Sequence, residues 1–266
     1  MLKDITIGQY VPGESSIHKM DPRTKIIAVV IYMVGLFLAN NFDGYVLVTF
    51  FTFGVMFLSR IPLLMLLKGV RPLWIIVVLT LGIHFFMTEG APIWQWGILK
   101  ITAEGLKMGI FMALRLVYLV LITSLLTLTT TPILLTDGIE SVLKRLFVPV
   151  AHELAMMMTI ALRFIPTLIE ETEKIMKAQQ ARGADFESGG LMTRARSLIP
   201  LLVPLFLSSF RRADELAMAM EARCYRGGEN RTRMKALKMQ SRDLIAFLMI
   251  ILFAAACYLL RDGVLR

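Results

Sequence analysis

Two segments of the chain share a pattern of acids, alanines and a closing arginine. The first is residues 173–183, EKIMKAQQARG, and the second is residues 214–224, DELAMAMEARC. Each begins with an acid and carries an Ala-Arg pair next to its last residue. Arginine is a rigid fork of donors that can hold a carboxylate or backbone carbonyls, so the chemistry expected here is docking onto a partner. The same spacing also fits two ordinary amphipathic helices whose charges suit the helix dipole.

Both segments are predicted to form the last turns of helices, which could be presented to a soluble partner. Gly183 can adopt the left-handed conformation that ends a helix, and Gly227-Gly228 follow the second segment. Small alanines allow a partner to approach closely. Two copies of the pattern suit a partner with two similar grooves, such as a dimer of nucleotide-binding ATPases.

Histidines and cysteines do not form a recognisable metal or disulfide pattern, because none of them has ligand spacing. They are His18, His84, His152, Cys224 and Cys257. The sequence also lacks a Gly-x-x-x-x-Gly-Lys-Ser/Thr segment. Any ATP must therefore be bound by another chain, and no cofactor is expected in this one.

Glu170 and Glu171, with Arg163, leave open a membrane enzyme acting at the interface. Neighbouring lysines favour a solvated or partner-facing helix instead. Arg115 lies inside an apolar run, where a charge is a functional candidate by default. The alternative for Arg115 is that it snorkels or pairs within a helix bundle.

The rest of the chain is strongly apolar. Of its 266 residues 56% are hydrophobic, and the mean hydropathy is +0.67, more apolar than a typical soluble domain. The N-terminus is too polar for a cleavable signal peptide. Segment 63–67, between basic residues, is expected to lie along the membrane interface. Five apolar runs are predicted to cross the bilayer: residues 25–39, 45–58, 72–87, 106–128 and 244–260.

Lysines and arginines predict the orientation of these spans. With a cytoplasmic N-terminus, the cytoplasmic segments hold the basic residues before the first span, those between the second and third, and all those from Lys144 to Arg242. The opposite side holds only four: Lys100, Lys107, Arg261 and Arg266. Orientation thus explains the net charge of +9, and nucleic-acid binding is not expected.

Residues 132–242 differ in character from the apolar runs, because charges and prolines interrupt their apolar patches. We predict an all-α integral membrane protein with about five transmembrane helices and a cytoplasmic helical coupling module. Residues 1–131 form the N-terminal segment and spans one to four, residues 132–242 form the module, and residues 243–266 form the last span.

Several motifs, in order along the chain, resemble the transmembrane T components of bacterial energy-coupling-factor (ECF) transporters. Residues 8–25, GQYVPGESSIHKMDPRTK, are similar to the family's Ser, His, then Asp-Pro-Arg-x-Lys pattern before the first span. Thr129-Thr-Thr-Pro132, Leu162-Arg-Phe-Ile-Pro166 and Ala178-Gln-Gln-Ala-Arg-Gly183 follow. The paired arginine segments resemble the Ala-Arg-Gly motifs that end the family's coupling helices. Here the second motif reads Ala-Arg-Cys, a departure that concerns the helix ending.

The resemblance implies a non-catalytic subunit that joins two ABC-type ATPases to a substrate-binding S component for vitamin or micronutrient uptake. It implies a multi-pass location in a bacterial cell membrane. The residues that it assigns to ATPase coupling are Ala181, Arg182, Gly183, Ala222, Arg223 and Cys224. A T component dedicated to one S component, of cobalt, nickel or biotin type, remains open, as do a membrane enzyme and a membrane scaffold.

Overall fold

A computed structural model describes residues 10–88, 92–96, 99–146, 150–184, 186, 190, 192, 196–227 and 237–261. Gly8, Gln9, Gly228 and Arg266, named above, lie outside these residues. The helices are α1 Pro22–Leu38, α2 Phe42–Ser59, α3 Leu63–Val70, α4 Trp74–Met87, α5 Ala103–Thr129, α6 Pro132–Arg145, α7 Ala151–Ala181, α8 Ile199–Ala222 and α9 Ser241–Arg261. The strands are β1 Pro92–Trp96 and β2 Leu99–Thr102.

Five helical stretches are long and apolar enough to cross a membrane, the number that the sequence predicts. They are Phe42–Ser59, Leu63–Met87, Ala103–Thr129, Ala151–Ala181 and Ser241–Arg261. The set differs from the predicted one at α1 and α7. Helix α1, which covers nearly all of the first predicted run, has 17 residues, one fewer than the shortest of these five stretches. Helix α7 qualifies, because residues 151–169 contain only two charged side chains. Length and composition do not place a helix in a bilayer, so the cytoplasmic assignment of α7 stays a prediction.

Residues 63–67, expected along the interface, are part of a longer helical stretch. Helix α3 leads into α4 through a single 3-10 turn, Arg71–Leu73, despite the proline in that turn. Pro72 lies at the start of the turn, where it removes no helical hydrogen bond that is needed. The resulting stretch of 25 residues is one candidate span.

The described chain is all-α as predicted, apart from a short hairpin between α4 and α5. Strands β1 and β2 pair antiparallel, with Trp96 opposite Leu99. This segment lies between the third and fourth predicted spans. Its aromatic and β-branched residues on either side of Gly97 are typical of two short strands and a turn.

The described residues of 8–139 and 236–266 form one compact unit. Helix α1 packs against α9, and α4 against α5. Tyr32 is 1% exposed, and its hydroxyl lies 2.6 Å from the Thr52 hydroxyl. Tyr32 also stacks on Phe253 at 5.4 Å between ring centroids. A Cβ at Gly35 would lie 2.8 Å from the Phe253 ring, so glycine permits the close approach of α1 and α9.

Arg115 has a structural role within this unit. Its Nη2 donates to the carbonyl of Ala39 at 3.2 Å and to Asn40 Oδ1 at 3.3 Å, just beyond the end of α1. The guanidinium also lies 5.1 Å from the centre of the Phe37 ring. Arg115 therefore pairs within the bundle. Its positive charge interacts favourably with the negative, C-terminal end of the α1 dipole.

The described residues of 140–235 form a second compact unit, in which α7 packs against α8. Each of these helices continues through an internal proline, Pro166 in α7 and Pro204 in α8. The side chain of Gln179 donates to the Pro200 carbonyl at 3.3 Å, which joins the end of α7 to the start of α8. The two helices therefore run antiparallel.

Candidate functional site

The two arginine motifs end two different helices in the same way. Helix α7 ends at Ala181 with Arg182 as its cap, and α8 ends at Ala222 with Arg223 as its cap. In both, the cap backbone is close to φ −90° with ψ near 0°. The predicted similarity of the segments is thus a similarity of local structure.

Each ending is closed by the pair of backbone hydrogen bonds that defines a Schellman motif. At the end of α7, the amide of Gly183 donates to the carbonyl of Gln180 at 2.9 Å, and that of Ala184 to Gln179 at 3.0 Å. At the end of α8, the matching bonds are Cys224 to Glu221 at 2.8 Å and Tyr225 to Met220 at 3.1 Å.

The residue after each arginine has a left-handed backbone. Gly183 has φ 89° and Cys224 has φ 56°. The change from Ala-Arg-Gly to Ala-Arg-Cys therefore leaves the helix ending intact. Cysteine has a Cβ, so this conformation is less favourable there than for glycine.

All six predicted docking residues are exposed to solvent: Ala181, Arg182, Gly183, Ala222, Arg223 and Cys224. Ala178 and Ala219, one helical turn earlier, are exposed as well. Within the described part of the chain, neither Arg182 nor Arg223 forms an ion pair. Both guanidinium groups are therefore free to bind acceptors on another molecule.

The two motifs lie at opposite ends of the helix pair. Gln179, beside the first motif, contacts the start of α8, whereas Tyr225, beside the second, lies 3.4 Å from His152 at the start of α7. Helix α8 has 24 residues, which places its two ends roughly 35 Å apart at 1.5 Å per residue. The structure thus presents two similar exposed helix endings at a fixed separation.

Side-chain contacts between α7 and α8 maintain that separation. Arg212 Nη2 lies 3.1 Å from Glu171 Oε2, and the Arg212 guanidinium lies 5.8 Å from the Phe164 ring centre. Glu171, a candidate for interfacial catalysis, therefore participates in a structural ion pair. Arg163 and Glu170, the other members of that candidate group, are exposed.

A second set of contacts holds the end of α8. His152 Nδ1 lies 3.1 Å from Glu140 Oε1, and His152 Nε2 lies 3.4 Å from the Tyr225 hydroxyl. Tyr225 is the residue that closes the second Schellman motif. The position of Arg223 is thus linked to the first turn of α7 through His152.

The N-terminal motif folds around His18. Its Nδ1 lies 2.6 Å from the Ser15 hydroxyl, and its Nε2 lies 3.1 Å from the Val11 carbonyl. A carbonyl only accepts, so Nε2 carries the proton and Nδ1 accepts from Ser15. Burial lowers the pKa of His18, and the nearby positive charge of Lys25 lowers it further, against the opposing effect of the Val11 carbonyl.

Lys25, which ends the same motif, joins it to the Thr-Thr-Thr-Pro motif. Its Nζ donates to the carbonyl of Thr129 at 2.9 Å and to the Thr130 hydroxyl at 3.2 Å, at the end of α5. A cation at a helix C-terminus suits the helix dipole. Two motifs that lie about a hundred residues apart in sequence therefore meet in one cluster of contacts.

Asp243 belongs to the same cluster and was missed by the sequence analysis. It is 1% exposed, and its two carboxylate oxygens accept from the amides of Asp21 and Gln240, each at 2.8 Å. One carboxylate therefore joins the N-termini of α1 and α9. The available signal was an acid three residues after Gln240, at the start of an apolar run, which is the spacing of a capping box.

In the described residues, no three or more His, Cys, Asp or Glu side chains come together in a way that could hold a metal ion. The candidate site consists of the two exposed helix endings at Arg182 and Arg223. Its supports are ion pairs and hydrogen bonds within the unit of residues 140–235.

Comparison with known proteins identifies the family of the chain. A family model described as "Cobalt transport protein", CbiQ, matches residues 13–234. The energy-coupling factor transporter transmembrane protein EcfT of Clostridium kluyveri is 61% identical over 253 residues, which cover 93% of each chain. That of Thermosediminibacter oceani is 63% identical over 250 residues, covering 93% of this chain and 94% of its own. That of Bacillus subtilis is 52% identical over 265 residues, covering 98% of this chain and all of its own. The chain therefore belongs to the CbiQ/EcfT family of transmembrane components of energy-coupling factor transporters.

Proposed function

We propose that this chain couples ATP hydrolysis by two ABC-type ATPase subunits to uptake through an S component. The observation that carries the proposal is the pair of matching helix ends, each with an exposed arginine, at opposite ends of one antiparallel helix pair. Two equal endings suit two equal grooves, as an ATPase dimer would offer.

Arg182 and Arg223 are the anchors of this docking. Each guanidinium can bind a carboxylate and backbone carbonyls in a groove, and the adjacent alanines let the groove walls approach the helix end. The left-handed residue turns the chain away after the arginine, so the helix end itself enters the groove. The sequence contains no phosphate-binding loop, and we assign ATP binding to the partner ATPases.

Coupling requires that the helix pair respond to its partners as a unit. The Arg212–Glu171 ion pair and the Gln179–Pro200 hydrogen bond connect α7 to α8. Closing of the ATPase dimer would change the distance between its two grooves. The pair of helices must then tilt or slide, and the population of its arrangements shifts with the nucleotide state. No catalytic residue is needed in this chain for such a relay.

The distribution of basic residues supports the membrane orientation that we propose. We place the N-terminus and residues 132–242 in the cytoplasm of a bacterial cell, with the chain in the cell membrane. The S component would bind the substrate. Vitamin uptake through shared S components is our proposal, and transport of a metal such as cobalt through one dedicated S component is the alternative.

The test is a detergent pull-down of the wild-type chain and the Arg182→Glu/Arg223→Glu double variant, with mass spectrometry of the bound proteins. ABC-type ATPases should be retained by the wild type and lost by the double variant, while membrane insertion is unchanged. Arg211→Glu is the matched control, since Arg211 is exposed on α8 but lies outside the motif. Normal ATPase binding by the double variant would reject the role of these arginines. Several S components in the wild-type sample indicate a shared subunit, and a single one indicates a dedicated subunit.

A further inference from the structure

An apolar cavity of about 460 Å³ lies among α1, α2, α5 and α9, within the unit that contains the N-terminal motif. Its floor is formed by buried side chains, including Tyr32, Ile122, Leu125 and Ile250. The volume is in the range of small-molecule sites. None of the proposed coupling contacts uses this cavity.

The mouth of the cavity opens on an exposed apolar surface. Phe50 of α2 and Ile245 of α9 line the cavity and are 81% and 57% exposed. The same surface continues along the two helices through Phe57 and Leu248. In a membrane protein such a surface faces hydrocarbon, so whatever enters the cavity comes from the lipid phase.

Lys25 and Arg242 are the charged residues that line the cavity. The carboxylates of Asp21 and Asp243 lie near Lys25 and offset its charge, which leaves Arg242 as the cation available at this end of the cavity. The Lys25 ammonium is already used, because it donates to three protein oxygens. Arg242 is exposed, and in the described part of the chain it has no ion-pair partner. An anion at this end would complement Arg242.

We infer that the cavity binds one acyl chain of an anionic lipid whose headgroup lies against Arg242. The apolar floor holds the chain, and the guanidinium binds the phosphate through charge-assisted hydrogen bonds. This places the lipid in the leaflet that contains the N-terminus of α9. A single basic residue near a membrane surface favours an anionic headgroup about fivefold.

The depth of the cavity favours a lipid over a helix of a partner protein. Its lining on α9 extends from Arg242 to Ile250, or about 12 Å at 1.5 Å per residue. The hydrocarbon core of a bilayer is about 30 Å thick, so the cavity covers less than half of it. A lipid occupies one leaflet, whereas a membrane-spanning helix would need a groove through both.

The headgroup is tested by native mass spectrometry of the full chain with its co-purified partners. Phosphatidylglycerol and phosphatidylcholine with identical acyl chains are supplied in equal amounts. The wild type should retain one phosphatidylglycerol about fivefold more often than one phosphatidylcholine. Arg242→Gln should abolish this preference. Arg71→Gln, which removes an exposed arginine away from the cavity, should preserve it.

The acyl chain is tested by filling the cavity. A Cβ at Gly54, which lines the cavity, would have no atom within 4 Å, so leucine fits there and occupies the space of the lipid chain. Gly54→Leu should lose both lipids, as should Ala246→Leu from the opposite wall. Gly82→Leu is the matched control, because Gly82 is equally uncrowded but lies outside the cavity.

Three results would overturn the inference. The first is equal retention of the two lipids by the wild type. The second is an unchanged adduct in folded Gly54→Leu and Ala246→Leu protein. The third is an adduct present in the isolated chain but absent when the membrane partners are bound, since a partner would then fill the cavity. None of these results depends on ATPase docking, so they test the lipid site independently of the proposed coupling role.

Discussion

Cys224 occupies at the end of α8 the left-handed position that Gly183 occupies at the end of α7. The two residues donate the equivalent backbone hydrogen bonds, at 2.8 and 2.9 Å. A residue with a Cβ is disfavoured in this conformation by about 1–2 kcal/mol. The two docking ends are thus alike in shape but should differ in how readily their last turns open.

Cys224→Gly should therefore stabilise the end of α8, and Gly183→Ala should weaken the end of α7. A change of about 1 kcal/mol alters local opening about fivefold. Amide hydrogen exchange measures it directly, at Tyr225 for the first variant and at Ala184 for the second. Exchange should slow in Cys224→Gly and accelerate in Gly183→Ala.

Gly190→Ala is the control for these two variants. Gly190 is exposed, its Cβ would meet no atom within 4 Å, and its φ is not left-handed. Alanine there should leave exchange at Ala184 unchanged. If Gly183→Ala also left exchange at Ala184 unchanged, the first motif would not require glycine in its left-handed position.

A charge swap can separate a structural from a catalytic role for Glu171. Arg212→Glu places two carboxylates together where the ion pair is 3.1 Å long and partly buried. This should weaken the packing of α7 on α8 by roughly 1 kcal/mol. The double variant Glu171→Arg/Arg212→Glu should recover the thermal stability and the uptake activity. Recovery excludes a catalytic carboxylate at this position, whereas a stable but inactive double variant would support the enzyme alternative.

Sequence reasoning succeeded where the signal was local. The ends of α7 and α8 were predicted from the Ala-Arg pairs, and the long apolar runs predicted helices α1, α2, α4, α5 and α9. It failed where tertiary packing decides. The charges and prolines of residues 132–242 did not indicate that α7 continues through Pro166. The hairpin of β1 and β2 was not predicted. Asp243 was missed because its role depends on contact with Asp21, which is more than two hundred residues away.

The contact of Asp243 with Asp21 predicts a large cost for removing the carboxylate. Asp243→Ala would leave two backbone amides, those of Asp21 and Gln240, without their acceptors. Leaving a buried amide unsatisfied costs about 1–3 kcal/mol, and water can reach the amide of the exposed Gln240, so the variant should lose roughly 1–3 kcal/mol. The measurement is the thermal unfolding midpoint of the detergent-purified chain. Asp43→Ala, which removes an exposed acid from the first turn of α2, should cost less than about 1 kcal/mol. Similar losses in the two variants would contradict the bridging role of Asp243.

His18 should make the stability of the N-terminal motif depend on pH. Its pKa in the folded chain lies below the ordinary value of 6.5, because burial and the charge of Lys25 disfavour the imidazolium. The unfolded chain therefore binds a proton first as the pH falls. The contribution of His18 to the free energy of unfolding is fully present above pH 6.5. It is lost as the pH falls from 6.5 through the lower pKa of the folded chain. Protonation also places a proton on Nδ1, where Ser15 now donates at 2.6 Å.

The pH effect of His18 is best measured against His18→Gln, because glutamine has no titratable group in this range. Thermal midpoints of both proteins should be recorded between pH 8 and pH 5, since about 1.5 units on each side of 6.5 covers the titration of an ordinary histidine. Other groups titrate equally in the two proteins, so their difference isolates His18. The wild type should lose more stability than the variant on acidification, because only its unfolded state gains the extra proton. Parallel curves for the two proteins would show that burial of His18 in the motif does not bias its protonation.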